Sequence, residues 1–260
     1  MINYDLPLQT EFQDFKRLNQ SCLIGAILVS ELLNERINKD WVVEEITRLS
    51  LQVRSSEVPP LEILRSLSLE GFSGATNYYA YDNSAIENVL STKKGIPISL
   101  AMIIIAVADK LQVECFGVNF PGHFLVQFNG LLADPFTMQP IGDELMQHWL
   151  RQSGLSRKDA FKVARPIDVV LRMLNNLRAL AIGQDDFNKA LDFSAYQLLL
   201  VDDPFPVHLG RIELWAKLGL PSMAKKEIEF ALALAAPSPE AESLLAQRLH
   251  SLGDWKTTLH

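Results

Sequence analysis

Two short strings in this chain could do chemistry: Pro121-Gly122-His123-Phe124-Leu125-Val126 and Ala133-Asp134-Pro135-Phe136. Asn129-Gly130 lies between them. Asn-Gly flanked by apolar strand residues predicts a two-residue hairpin turn. That turn pairs Phe128 with Leu131, Val126 with Ala133 and Leu125 with Asp134. His123 then falls on the same face as Asp134, one diagonal step away. Diagonal neighbours are roughly 7–8 Å apart at the backbone, which an imidazole and a carboxylate can close. A carboxylate that orients a histidine is two parts of a hydrolytic or acyl-transfer triad. The third part, a nucleophile, is harder to find.

Ser99 is one candidate. It stands two residues after Pro97, a favoured first-turn helix residue. As a nucleophile it would be activated by His123. As a structural residue it would satisfy backbone groups at the helix end. The second reading is preferred, because a nucleophile must also meet its base within about 3 Å. The two cysteines, Cys22 and Cys115, sit among apolar residues with no cationic neighbour in sequence, and read as core thiols. Asn83 and Asn119 either bind a substrate backbone, supply an oxyanion donor, or satisfy loop backbone. Tyr78, Tyr79 and Tyr81 either line a peptide groove or are partly buried.

The elements around these residues are mostly helical. Leu18, Cys22, Gly25, Ala26, Val29, Leu32, Leu33 and Ile37 recur at helical spacing until Asn38-Lys39-Asp40. Asp40 is expected to cap the next helix, whose stripe is Val42, Val43, Ile46, Leu49 and Val53. Pro59-Pro60 opens a third helix. Asp82-Asn83-Ser84 precedes a short helix, and Lys93-Lys94-Gly95 ends it. A helix from Pro97 carries Leu100, Ile103, Ile104, Val107, Ala108 and Leu111, an apolar face wide enough for burial on most sides. Val113 to Phe120 reads as a strand before the hairpin, and a helix from about Asp143 follows it. From Arg165 the pattern is helical. Ala190 and Ala224, Leu218 and Leu252, and Gly219 and Gly253 recur at about 34 residues, the period of the tetratricopeptide repeat. Trp215, Ile228, Ala231 and Pro237 fall near that repeat's spacing. Asn175-Asn176, unusual inside a helical pattern, either hold a peptide or bond between domains.

The chain has 260 residues, 48% hydrophobic and 21% charged, with a net charge of −7. No basic stripe is present to displace counterions from phosphate, so no nucleic-acid partner is expected. Met1-Ile2-Asn3-Tyr4-Asp5 lacks the basic start and apolar run of a signal peptide. The longest apolar run, from Ile96 to Val107, is too short for a bilayer, so no membrane partner is expected. The two cysteines and five scattered histidines make no metal-ligand spacing. A cytoplasmic protein without cofactor or metal follows.

Several segments together resemble a bacterial group, the SirB-type proteins, in which a transglutaminase-like core precedes tetratricopeptide repeats. They are Tyr81-Asp82-Asn83-Ser84, Lys94-Gly95-Ile96-Pro97-Ile98-Ser99-Leu100, Gly117 through Val126, Asp134-Pro135-Phe136 and Arg172-Met173-Leu174-Asn175-Asn176-Leu177-Arg178. The resemblance implies an α+β fold: helical lead-in plus papain-like core over residues 1–164, and helical repeats over 165–260. It also implies a cysteine at the start of the buried helix, where the helix N-terminus lowers a thiol pKa. Pro97 stands at that place. His123 and Asp134 take the other two. Two main functions remain open at this point, beside a purely structural regulator that docks on one enzyme and has no cleft function. One is a non-catalytic protein that binds a protein or peptide partner as adaptor or regulator. The other is a hydrolase or acyltransferase acting on amide or ester bonds, with His123 as base, Asp134 as its orienter, and Ser99 or water as nucleophile.

Overall fold

The structure is a computed structural model that describes residues 6–54 and 59–233, with positions 239, 243, 245 and 247 beyond them. The chain divides into two compact units, with Leu6–Met173 in one and the chain from Leu174 in the other. Among the described residues no helix is long and apolar enough to cross a membrane.

The first unit is α+β. Its helices are α1 (Gln9–Leu18), α2 (Cys22–Leu33), α3 (Lys39–Gln52), α4 (Pro59–Leu69), α5 (Ile86–Thr92), α6 (Pro97–Lys110), α7 (Asp143–Ser153) and α8 (Arg157–Ala160). Helix α6 is the centre. Every residue from Ile98 to Ala108 is buried, and α2, α3, α4 and α5 pack around it together with the sheet. A strand pair, β1 (Ser73–Gly74) and β2 (Lys94–Gly95), runs parallel just before α6. The main sheet is an antiparallel meander of β3 (Cys115–Val118), β4 (Leu125–Phe128), β5 (Leu131–Asp134) and β6 (Gln139–Pro140). The hairpin forms with Val126 opposite Ala133 and Phe128 opposite Leu131. Gly130 turns the corner at φ +76°, a conformation that costs glycine nothing.

Local chemistry moves two helix boundaries away from the sequence reading. The apolar run through Leu18 and Cys22 is two helices. Asn19 ends α1 in the left-handed region, its N–H on the Phe15 and Lys16 carbonyls, and the Ser21 hydroxyl caps α2 at the Ile24 N–H. Helix α3 is capped by Asn38, whose side chain accepts from the Trp41 N–H, while Asp40 lies inside the first turn. Both caps follow the preference of Asn and Ser for the position just before a helix.

Charged residues tie α3 to the ends of α4 and α5. Glu45 binds Arg48 at 2.8 Å and Lys93 at 2.9 Å, and Arg48 reaches Glu70 at 2.8 Å. The Arg48 hydrogen bond, seconded by Lys93 and opposed by burial, holds the Glu45 carboxyl down at about 2. A carboxyl depressed in the folded state stabilises above its unfolded pKa, and that contribution is lost as pH falls toward the folded value. Acid titration between about pH 4.5 and 2 is therefore expected to weaken the fold, and Glu45→Gln to flatten that part of the stability profile. Identical acid profiles for the variant and the natural chain would refute the assignment.

The second unit is helical where described. It takes the later part of α9 (Pro166–Gly183), then α10 (Phe187–Leu200), α11 (Phe205–Lys217) and α12 (Pro221–Ala233). Helix α11 packs against both α10 and α12. Ala190 and Ala224, matched by spacing, are both fully buried. Leu252, Gly253 and Pro237 lie outside the described residues. A polar knot sits inside this unit. Glu227 accepts from Arg211 Nε at 2.9 Å and Trp215 Nε1 at 3.0 Å, and lies 2.5 Å from His208 Nδ1. Arg211 also donates to Ser194 Oγ and the Leu191 carbonyl. Asn175 Oδ1 accepts from Gln197 Nε2 at 2.7 Å within the same unit.

Candidate functional site

The start of α6 is built around Ser99. Its Oγ accepts the Ile96 N–H at 3.1 Å, and its single proton faces the carbonyls of Asn83 at 2.6 Å and Ile96 at 3.0 Å. The side chain is fully buried. Such a hydroxyl closes a helix end, because an unpaired buried carbonyl or N–H there would be costly. Ser99→Ala is expected to destabilise the first unit by about 1–3 kcal/mol, measurable as a lower urea midpoint. Unchanged stability would show that these hydrogen bonds contribute nothing. Pro97, partly buried, occupies the first helical position and brings no nucleophilic atom. Asn83 also donates its amide to the carbonyls of Asn77 at 2.6 Å and Tyr78 at 3.1 Å. It therefore fastens the aromatic loop to the head of α6. Tyr81 opens the short 3-10 turn Tyr81–Ser84.

Both cysteines are poor nucleophiles. Burial, then the nearby Asp109 charge, pushes the Cys22 thiol up to about 12. Burial raises Cys115 further still, with Asp109 and Cys22 adding to it. A thiol so raised stays protonated at neutral pH.

His123 and Asp134 share no hydrogen bond among the described residues. Asp134 spends its carboxylate on its own turn, accepting the Phe136 N–H at 2.9 Å and the Thr137 hydroxyl at 3.2 Å. His123 lies before β4 starts, in a turn closed by its N–H on the Phe120 carbonyl. The diagonal expected from the hairpin required an extended strand back to residue 123, and the ladder stops short of it. The imidazole instead stacks on Trp149 of α7, with ring centres 4.1 Å apart and planes 18° apart. Phe120 packs against Trp149 and Phe161 beside it.

Arg172 holds this loop. It donates to Asn119 Oδ1 at 3.1 Å and to the carbonyls of Phe120 at 3.5 Å and His123 at 3.0 Å. Its guanidinium also sits over the Phe124 ring. It pairs with no carboxylate among the described residues, and burial lowers its pKa. Its charge acts on Tyr78, whose hydroxyl burial pushes up while Arg172 draws it down. Tyr78 meets Phe136 at 6.2 Å and Tyr79 at 5.3 Å between ring centres. Gly74 makes room for this contact, since a Cβ there would lie 2.2 Å from the Phe136 ring. Tyr79 is 77% exposed and Tyr78 43%. The outcome is an aromatic shelf of Tyr78, Tyr79 and Phe136 beside an uncompensated cation.

Of the sequence candidates, then, Asn119 and His123 come together through Arg172, Asn83 and Ser99 come together at the head of α6, and Asp134 stays with its turn. Trp149, Phe136 and Arg172 carry roles the sequence reading did not give them. A family model described as the transglutaminase-like superfamily matches residues 40–175, more than half of the chain. The chain belongs to that superfamily. Among curated relatives, a UPF0162 protein of Xylella fastidiosa is 30% identical over 203 residues, 73% of this chain and 72% of the relative. A UPF0162 protein of Vibrio cholerae is 26% identical over 91% of this chain and 94% of its own length. Protein SirB1 of Salmonella typhimurium is 22% identical over 95% of this chain and 98% of its own. The SirB-type resemblance is thus shown along nearly the whole length. No solved structure matches the chain significantly.

Proposed function

We propose that this superfamily member is non-catalytic and binds a polypeptide partner, as an adaptor or regulator. The observation that carries the reading is the head of α6. Pro97 stands where the family's chemistry would need a thiol, and the nearest hydroxyl, Ser99, is buried and committed to backbone. Asp134 does not orient His123, and His123 is stacked rather than aimed at a nucleophile. Exposed tyrosines next to an arginine that meets no carboxylate among the described residues are the kind of surface that holds peptides, since aromatic and arginine side chains dominate such contacts. The tetratricopeptide-like spacing of the C-terminal helices supports the same reading, because such repeats present concave peptide-binding surfaces.

The test is selection of displayed random peptides on the full chain, followed by binding of the winners to Tyr78→Ala and Tyr79→Ala variants. Enriched peptides are expected to lose about tenfold or more in affinity on the variants. Selection that yields no binder, or binders indifferent to both tyrosines, would overturn the assignment of this surface.

A further inference from the structure

A second feature of the first unit has the opposite charge to the cation beside the aromatic shelf. It is a recess of about 420 Å³, lined by the end of α2, the start of α3 and the stretch from Asp82 to Ser91. That volume suits a ligand of about amino-acid size. Trp41 supplies an aromatic wall, Asp82 and Glu87 supply carboxylates, and Asn34, Asn88 and Ser91 add neutral polar groups. No lysine or arginine lines it.

The carboxylates are not used up by the fold. Among the described residues Glu87 accepts only the Asn38 N–H, at 3.0 Å. Asp82 is engaged through its backbone carbonyl, which takes the Ala85 N–H and the Asn88 amide, and its carboxylate has no partner among the described residues. Neither acid belongs to an ion pair there. The Trp41 indole N–H likewise has no protein partner among the described residues.

We propose that this recess binds an organic cation, an ammonium or guanidinium group on a short apolar stem. The ring face and the two acids attract the same positive head, and Trp41 also gives the stem an apolar surface. A bare metal ion fits less well, because hard cations take oxygen ligands on every side and leave an indole no role.

Calorimetry of the full chain with n-pentylamine, agmatine, N-acetyl-lysine methylamide, 1-pentanol and hexanoate tests it. Saturable binding of at least one cation is expected, with none of the alcohol or the acid. Asp82→Asn and Glu87→Gln are each expected to weaken that binding about tenfold. Both variants are expected to keep the fold, since glutamine retains the acceptor for Asn38 and the Asp82 carboxylate holds nothing among the described residues. Binding of the lysine derivative as well as the free amines identifies a basic side chain as the ligand's source. Binding of the free amines alone identifies a small molecule. No saturable binding of any cation up to about 10 mM, the weak end of the affinity scale, overturns the proposal. So does equal binding of 1-pentanol, or affinity unchanged in both variants.

Discussion

Glu227→Ala is expected to destabilise the C-terminal helical unit by about 3–5 kcal/mol, seen as a fall in its urea midpoint. The carboxylate is 3% exposed and is the shared acceptor for Arg211, Trp215 and His208. Burial pushes this carboxyl up, but the His208 hydrogen bond, the Arg211 charge and the Trp215 hydrogen bond hold it below its ordinary value. Removing it takes from Arg211, itself 2% exposed, the carboxylate that its Nε binds. The Arg211 Nε–H and the Trp215 Nε1–H then lose the acceptor they share. Glu227→Gln keeps the shape and one acceptor, so it is expected to fall between the two. A loss below about 1 kcal/mol for the alanine variant would mean that the knot adds no stability to the packing around it.

Pro97→Cys is expected to create a reactive thiol. The residue is only partly buried at the first position of a long helix, where the macrodipole favours a thiolate. The native thiols are buried, Cys22 pushed up to about 12 and Cys115 beyond it. Alkylation by iodoacetamide at neutral pH, followed by mass spectrometry, is expected to modify the new thiol at least about a hundredfold faster than either native one. Equal rates at all three positions would mean that the head of α6 is not the electropositive, accessible place a nucleophile needs.

What the sequence revealed was mostly local. Asn129-Gly130 dictated the hairpin and its register, and Pro97 marked the start of α6, because turn chemistry and a missing N–H act within a few residues. The wide apolar face of α6 announced its burial. The break at Asn19-Gln20-Ser21 escaped because its flanking apolar residues kept a helical spacing across it. The His123–Asp134 pairing failed for a related reason. Spacing assumes that a strand continues, whereas the Pro121-Gly122 turn had already taken residue 123 out of it. Arg172 lies 49 residues from the His123 carbonyl it binds, so no nearby pattern could reveal its role. The knot in the second unit did leave a signal. His208, Arg211 and Trp215 share one face of α11 by spacing, and Glu227 precedes buried Ile228, so charges fall among inward positions. Polar residues there need partners, and the partner was the part to look for.

The most direct check on the central claim is turnover. The full chain and its His123→Ala variant would be incubated with activated esters, glutamine-containing peptides and an amine acceptor, and product measured against buffer. The expected result is no product above background from either protein. A rate above background that disappears in His123→Ala would contradict the account and return this histidine to a catalytic role.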